Sequence, residues 1–189
     1  MITGKDIVKI ALNLVVIYVI GGVLLTVMYA YTAPIIFKNH IKAKSEALSQ
    51  IMPEADTIEK KGVWHIHEHA ADYYVAIKDS APCGYLIESY GKGYSGYIHV
   101  LLAVDTGFAV KRISILSHTE TPGLGDEIET EAFRGQYTGK TAEAMVVIKG
   151  PTKENIQAIS GATISSRAVT EDAVKKALEF LAATLKGGA

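Results

Sequence analysis

Residues 97–116 read YIHVLLAVDTGFAVKRISIL, and this stretch predicts how the chain folds. Two runs rich in Val, Ile and Leu, 97–104 and 108–116, flank the triplet Asp105-Thr106-Gly107. Aspartate and glycine between two β-prone runs favour a tight turn. The stretch is therefore typical of two antiparallel strands joined as a hairpin.

Further β-prone runs lie on both sides of this hairpin, punctuated by glycine, proline and aspartate. They cover residues 63–66, 73–77, 85–89 and 144–148. Residues 154–159 fit a short helix or turn, and 170–185 fit an amphipathic helix with Gly187-Gly188 after its end. Because the strands follow one another instead of alternating with helices, the sequence predicts an α+β fold with a largely antiparallel sheet and flanking helices.

An uncharged N-terminal segment precedes the folded part. No charged residue occurs from Ile10 to Tyr31, and such a segment is about 33 Å long as a helix, enough to cross the hydrocarbon core of a bilayer. A cleaved signal peptide is the alternative, but its apolar stretch is usually only about 7–15 residues. The sequence therefore predicts a retained transmembrane helix. The predicted organisation is an N-terminal segment (1–9), an anchor helix (10–33), a connecting helix (34–55) and a folded domain (56–189).

Charge and cysteine content exclude several classes of function. The formal net charge of −1 gives no reason to expect nucleic acid as a partner. The single cysteine excludes an internal disulfide and a multi-cysteine metal cluster. Lysines occur on both sides of the predicted span, so the positive-inside rule does not decide its orientation. They are Lys5 and Lys9 before the span and Lys38, Lys42 and Lys44 after it.

Residues 91–96 read GKGYSG and match the G-x-G-x-x-G pattern of dinucleotide-binding proteins. That pattern holds a pyrophosphate only where a helix follows it. A strand is predicted to follow here, so we reject nicotinamide binding and assign the glycines to a turn or bulge. Tyr94 is then free to lie beside a flat ligand.

Three histidines alternate at His65, His67 and His69. On one strand they would share a face, where imidazoles can bind zinc or copper. No further ligand is evident in the sequence, and a solvated polar strand face is the other interpretation. We predict no metal site.

Residues 118–125 read HTETPGLG and form the first of two motifs that bear on function. They follow an apolar strand and cannot continue it, because Pro122 lacks an N–H group. A strand that runs into a rigid, glycine-rich loop is a common way to build the wall of a ligand site. His118 and Glu120 could suggest acid–base chemistry, but no nucleophile accompanies them, so hydrolysis is not favoured.

Residues 160–166 read SGATISS and form the second motif. An apolar helical pattern follows, so the motif lies where a loop turns into a helix. The first amides of a helix lack intrahelical acceptors and carry the positive end of its dipole, an arrangement that suits a phosphate. An ordinary serine or threonine N-cap is the alternative.

The two motifs together, behind one N-terminal span, resemble the G subunit of the Rnf electron-transport complex. That family is related to the C subunit of the sodium-pumping NADH:quinone reductase, and both carry an FMN-binding domain. The resemblance covers nearly the whole chain. It implies a membrane-anchored subunit that relays electrons in an ion-translocating ferredoxin:NAD oxidoreductase, with other complex subunits as partners and no catalysis by the subunit alone.

The resemblance also implies the site. Thr163 would be joined to FMN by a phosphoester bond, installed from FAD by a separate flavin transferase, in a domain on the extracytoplasmic side of the cell membrane. The candidate cofactor-binding residues are Thr163 with Ser160, Gly161, Ala162 and Ser166, and Glu120, Thr121, Gly123 and Leu124, with Tyr94 added from its sequence context. The family usually has an acidic residue where this chain has Gln157.

Other functions remain open at this point. One is the C-type subunit of the quinone reductase or another FMN-binding electron-transfer module. Another is a membrane-tethered binding or sensor domain without covalent flavin.

Overall fold

A computed structural model describes residues 4–186 of the chain. It divides the chain into two compact units, Met1–Ala43 and Lys44–Ala189. The first unit is helical. The second contains the sheet, its packed helices and all the candidate site residues.

Helix α1 spans Gly4–Ile51 and is 48 residues long. The sequence predicts two helices here, the anchor and the connecting helix. The structure has one continuous helix, which continues through Pro34. Among residues 4–186 it is the one helix long and apolar enough to cross a membrane. It ends at Ile51, two residues before Pro53, as a helix usually does when proline approaches.

The predicted antiparallel sheet is confirmed. Its five strands are paired in the order in which the chain makes them, so each joins the next as a hairpin. They are β1 (Thr57–Ile66), β2 (His69–Lys78), β3 (Ala81–Lys92), β4 (Tyr97–Val104) and β5 (Val110–Ser117). In the turn between β4 and β5, Oδ1 of Asp105 accepts hydrogen bonds from the amides of Gly107 and Ala109, at 2.8 and 2.9 Å.

Both faces of the sheet are covered, which explains why β4 is almost continuously apolar. On one face Ile98, Val100 and Leu102 belong to the large core, to which the C-terminal helices contribute Val169 and Leu178. On the other face a smaller core packs against Ile51 and Met52 and contains Tyr74, Ala76, Leu86, Leu101 and Ala103.

A buried ionic cluster lies on that second face. Glu88 is 3% exposed. Its carboxylate contacts Lys44 Nζ at 2.7 Å, Tyr74 OH at 2.9 Å and His99 Nε2 at 3.1 Å. Burial alone would raise the pKa of the Glu88 carboxyl, but the contacts with His99, Lys44 and Tyr74 outweigh burial and hold that pKa below its usual range. Because a buried carboxylate is costly to leave without a partner, the ion pair with Glu88 holds Lys44 against the sheet.

The C-terminal helical run begins earlier than its apolar pattern predicts. It consists of α3 (Thr163–Arg167), a π-helical segment (Ala168–Val174) and α4 (Lys175–Lys186). The π-helical segment packs directly on β3, where a Cβ at Gly91 would overlap the carbonyl oxygen of Ala168. The first glycine of the GKGYSG stretch therefore permits a close strand–helix approach. Gly187-Gly188 lie outside the described residues.

The segment between the sheet and α3 differs most from the prediction. Short 3₁₀ turns and α2 (Glu131–Arg134) follow β5. The predicted strand over 144–148 is reduced to β6 (Val147–Ile148), and residues 154–159, expected as a short helix or turn, contain β7 (Ile156–Gln157). These two short strands pair in parallel, so their C-terminal ends lie at the same edge.

The three alternating histidines do not lie on one strand, so they share no strand face. β1 ends at Ile66, and His67 and Glu68 form the turn to β2 with φ of 49° and 64°. His67 contacts Asp172 at 2.8 Å, while His69 stacks on Tyr90 with ring centroids 4.5 Å apart. Within residues 4–186 no group of three His, Cys, Asp or Glu side chains is arranged to hold a metal ion.

Candidate functional site

The fold brings the two motifs together at one cleft of about 520 Å³. One wall comes from the HTETPGLG loop, another from the SGATISS turn and α3, and a third from the loop between β3 and β4. The residues that line it are Tyr94, Glu120, Thr121, Leu124, Gly125, Lys149, Gly161, Ala162, Thr163, Ile164 and Ser165. Residues 120 and 163 are far apart in sequence, so the cleft is a product of the tertiary fold.

The HTETPGLG loop is a tight turn held by its own backbone. The carbonyl oxygen of Thr121 accepts hydrogen bonds from the amides of Leu124 and Gly125, at 3.2 and 3.0 Å. Gly123 has φ of +73°, a conformation that side chains with a Cβ rarely adopt. The turn therefore presents Thr121 and Leu124 to the cleft from a fixed backbone.

The SGATISS stretch turns sharply into α3. Gly161 has φ of +79°, and a Cβ there would come within 3.0 Å of Leu124 Cδ1, so the two motifs are in close contact at this glycine. The helix begins at Thr163, and no side chain caps it at Ala162 in the described part of the chain. The first amides of α3 consequently remain available to a ligand.

The hydroxyl groups of this stretch have different surroundings. Ser166 is fully buried, donates to the carbonyl of Ala162 at 2.9 Å and accepts from the amide of Ile159 at 3.0 Å. The hydroxyl of Ser165 donates to Glu120. Ser160 is exposed and does not line the cleft. Thr163 is half-buried in the cleft wall, and its hydroxyl has no hydrogen-bond partner among residues 4–186.

Glu120 ties the walls together. It is 5% exposed. Its carboxylate accepts hydrogen bonds from the backbone amides of Tyr94 at 3.2 Å and Ser95 at 2.9 Å, in addition to the hydroxyl of Ser165. A Cβ at Gly93 would lie 2.5 Å from its Oε1, so glycine is needed for the loop to approach. One carboxylate thus joins the β3–β4 loop, the HTETPGLG loop and α3.

The charge of Glu120 is stabilised in place. Burial would raise the pKa of its carboxyl, but hydrogen bonds from Ser165 and from the amides of Ser95, Tyr94 and Gly96 together outweigh burial and lower that pKa. Glu120 is therefore ionised at neutral pH, with its oxygens already engaged by the chain.

The rim of the cleft is apolar and exposed. Tyr94, Ile164 and Leu124 are 72%, 54% and 44% exposed. Exposed aromatic and aliphatic side chains around a concave site mark a surface that is covered by a ligand or partner. The cleft volume is within the range of cofactor sites, about 300–1,000 Å³.

Seven of the ten residues expected at the site line this cleft: Thr163, Gly161, Ala162, Glu120, Thr121, Leu124 and Tyr94. Gly123, Ser160 and Ser166 lie beside it without lining it. Ser166 fixes the turn and Gly123 shapes the loop.

Sequence reasoning missed Gly125, Lys149, Ile164 and Ser165 as lining residues. Three of them lie inside the quoted motifs, so the motifs themselves could have indicated them. Lys149 has no such signal, because it reaches the cleft only through the pairing of β6 with β7. Gln157 lies in β7 with an exposed side chain, and His118 contacts Glu129 at 3.0 Å outside the cleft.

Comparisons with known proteins define the class. A family model described as "FMN-binding domain" matches residues 93–179, a range that contains both motifs. Two solved structures are similar in fold. NqrC from Shewanella oneidensis superimposes with a TM-score of 0.52 at 27% identity, over 58% of this chain and 55% of that one. The C subunit of the Na(+)-translocating NADH-quinone reductase from Parabacteroides distasonis gives 0.50 at 26% identity, over 60% and 62%. The chain is a protein of the FMN-binding domain class.

Curated relatives narrow the family. The G subunit of the proton-translocating ferredoxin:NAD(+) oxidoreductase complex of Clostridium ljungdahlii is 35% identical over 97% of this chain and 96% of that one. The G subunit of the ion-translocating oxidoreductase complex of Methanosarcina acetivorans is 30% identical over 97% and 98%. The chain belongs to the G-subunit family of Rnf complexes.

Proposed function

We propose that this chain is a membrane-anchored flavoprotein subunit that relays electrons in an ion-translocating, Rnf-type ferredoxin:NAD oxidoreductase, with FMN joined to Thr163 by a phosphoester bond. The subunit is not catalytic alone and works with other membrane and soluble subunits. Bound FMN supplies the redox chemistry, and the protein supplies binding, orientation and electrostatics.

One observation carries the proposal. Of the hydroxyl groups in the SGATISS stretch, that of Thr163 lines the cleft without a hydrogen-bond partner in the described chain, whereas those of Ser165 and Ser166 are engaged. A hydroxyl used only as an N-cap would accept a hydrogen bond from the first turn of its helix. Thr163 is instead the first residue of that turn.

The attachment step balances as a transfer from FAD. The Oγ of Thr163 attacks the phosphorus of the FMN half, so an Oγ–P bond forms and the pyrophosphate P–O bond breaks. AMP leaves, and the threonine proton passes to a base of the transferase. The transfer involves no oxidation or reduction.

The chain's own residues fit the group. The first amides of α3 and the positive end of its dipole favour the negative charge of a phosphodiester, an effect of about 0.3–1 kcal/mol for a dipole alone. Gly161 allows the backbone to turn beside that charge. The exposed side chains of Tyr94, Leu124 and Ile164 offer apolar surface to a planar ring system.

The anchor and the location follow from the same proposal. Residues 10–33 of α1 cross the cell membrane once, and the folded domain lies on the extracytoplasmic side. A dipole contribution of that size is too weak to retain a cofactor outside the cell. A covalent bond removes that problem, which is why attachment and location belong together.

A denaturing gel viewed under ultraviolet light tests the attachment. The full-length chain is co-expressed with a flavin transferase, beside Thr163→Ala and Ser160→Ala. The wild type and Ser160→Ala are expected to fluoresce after denaturation, and Thr163→Ala to be dark. Ser160 is a matched control because its exposed hydroxyl lies in the same turn outside the cleft lining. A dark wild-type band would favour a tethered binding or sensor domain without covalent flavin.

Protease protection tests the location. Proteinase K added to spheroplasts is expected to remove the folded domain, and the same domain is expected to be protected in inverted membrane vesicles. Protection in spheroplasts would place the domain in the cytoplasm and contradict this part of the proposal.

A further inference from the structure

Lys149 is the one basic residue among those that line the cleft within residues 4–186. Its side chain is exposed, and it has no ion pair or hydrogen bond with any described residue. Carboxylates elsewhere in the folded domain, such as Glu88, Asp72 and Asp172, have lysine partners. The Lys149 ammonium group has no such partner among the described residues, so it is available to an anion in the cleft.

Lys149 and the acceptor Thr163 both line the cleft. Lys149 follows the end of β6, and the SGATISS turn follows the end of β7. Because the two strands run parallel, with Ile148 opposite Gln157, both segments leave the same edge of the pair. The pairing of β6 with β7 therefore explains how Lys149, distant in sequence, comes to line the same cleft as the SGATISS turn.

The other charged group of the cleft does not compete for this lysine. Glu120 is the one acidic residue that lines it in the described chain, and its oxygens accept from Ser165, Tyr94 and Ser95. Glu120 and Lys149 do not form an ion pair within hydrogen-bonding distance. The ammonium group is consequently free to bind an anion that enters the cleft.

We infer that Lys149 is the counter-ion of the flavin phosphate: its ammonium group pairs with the phosphodiester formed on Thr163 and positions the same phosphoryl group during transfer. This inference rests on the proposed function, because it requires FMN on Thr163. A phosphodiester retains one negative charge. The first amides of α3 would solvate that charge, and Lys149 would supply a full positive charge to it.

The test uses the full-length chain in detergent, with purified flavin transferase and FAD. Lys149→Met is compared with Lys149→Arg, which keeps the charge, and with Lys153→Met, which removes a charge from the same exposed loop outside the cleft lining. The efficiency of flavin transfer, kcat/KM for the protein substrate, is expected to fall about two- to fivefold in Lys149→Met, since one ion pair at an exposed site is lost. Lys149→Arg should restore most of it, and Lys153→Met should match the wild type.

A second readout is insensitive to transfer rate. The ³¹P resonance of the attached phosphate is expected to move in Lys149→Met relative to the wild type, and to stay in place in Lys153→Met. Equal transfer efficiency and an unmoved resonance in Lys149→Met would overturn the inference while leaving the flavin attachment intact. A wild-type chain that takes up no flavin would overturn the proposed function itself, so the two failures are distinct.

Discussion

Replacing Glu120 by Gln should loosen the cleft and destabilise the folded domain. The carboxylate is 5% exposed and accepts from two backbone amides and the hydroxyl of Ser165. A glutamine keeps one acceptor oxygen and adds an NH₂ group that faces donors. Hydrogen bonds to a charged group are worth about 1.5–3 kcal/mol each, so we expect the free energy of unfolding to fall by about 2–4 kcal/mol at pH 7.

The stabilising contribution of Glu120 depends on pH. The pKa of the Glu120 carboxyl is lowered in the folded state. Its stabilising contribution is therefore present above the ordinary glutamate pKa of about 4.3 and is lost as the pH falls through the lower, folded-state value. The difference in unfolding free energy between the wild type and Glu120→Gln should consequently shrink below about pH 4.

Urea unfolding of the full-length chain in detergent measures this effect. The single tryptophan, Trp64, is 8% exposed and stacks on Phe180 at 4.9 Å, so its fluorescence reports the folded domain. Glu127→Gln, an exposed carboxylate on the next turn, is the matched control and should unfold like the wild type. If Glu120→Gln also unfolds like the wild type at pH 7, the role assigned to this carboxylate is refuted.

Two further substitutions test the packing around the sheet by the same urea assay. Glu88→Ala should lower the free energy of unfolding by about 1–3 kcal/mol, because Tyr74 OH and His99 Nε2 lose their carboxylate partner while Lys44 keeps Asp72. Exposed Glu59→Ala should change it by less than about 0.5 kcal/mol, and equal midpoints would contradict the buried cluster. Gly91→Ala should cost about 1–3 kcal/mol or more, because the added Cβ meets the carbonyl of Ala168. Gly150→Ala, whose Cβ would meet no atom within 4 Å, is its control, and indistinguishable stabilities would contradict the close strand–helix approach.

The sequence was most informative where local chemistry decides the structure. The hairpin around Asp105 forms because aspartate and glycine favour the turn and the flanking runs favour strands. The same reasoning fails for β6 and β7, each of two residues, since strands this short are held by tertiary contacts and leave no periodic signal. The early start of the final helix at Thr163 is another such case, because hydroxyl residues alone have weak helix propensity.

The site was predictable in part for the same reason. The two motifs identify the turn at Gly161 and the loop at Thr121, and a glycine or proline pattern is visible in a single sequence. Lys149 was not predictable, because only the pairing of β6 with β7 brings it to the cleft. The role of Glu120 was also hidden, since its partners at Tyr94 and Ser165 are distant in sequence.

The covalent bond between FMN and Thr163 can be read directly by mass spectrometry. The full-length chain is co-expressed with the flavin transferase, digested, and the peptide containing residues 160–166 is sequenced. This peptide is expected to carry the mass of FMN less one water on Thr163, and the addition is expected to be absent from Thr163→Ala. An unmodified peptide in the wild type, or the same addition on another residue, would contradict it.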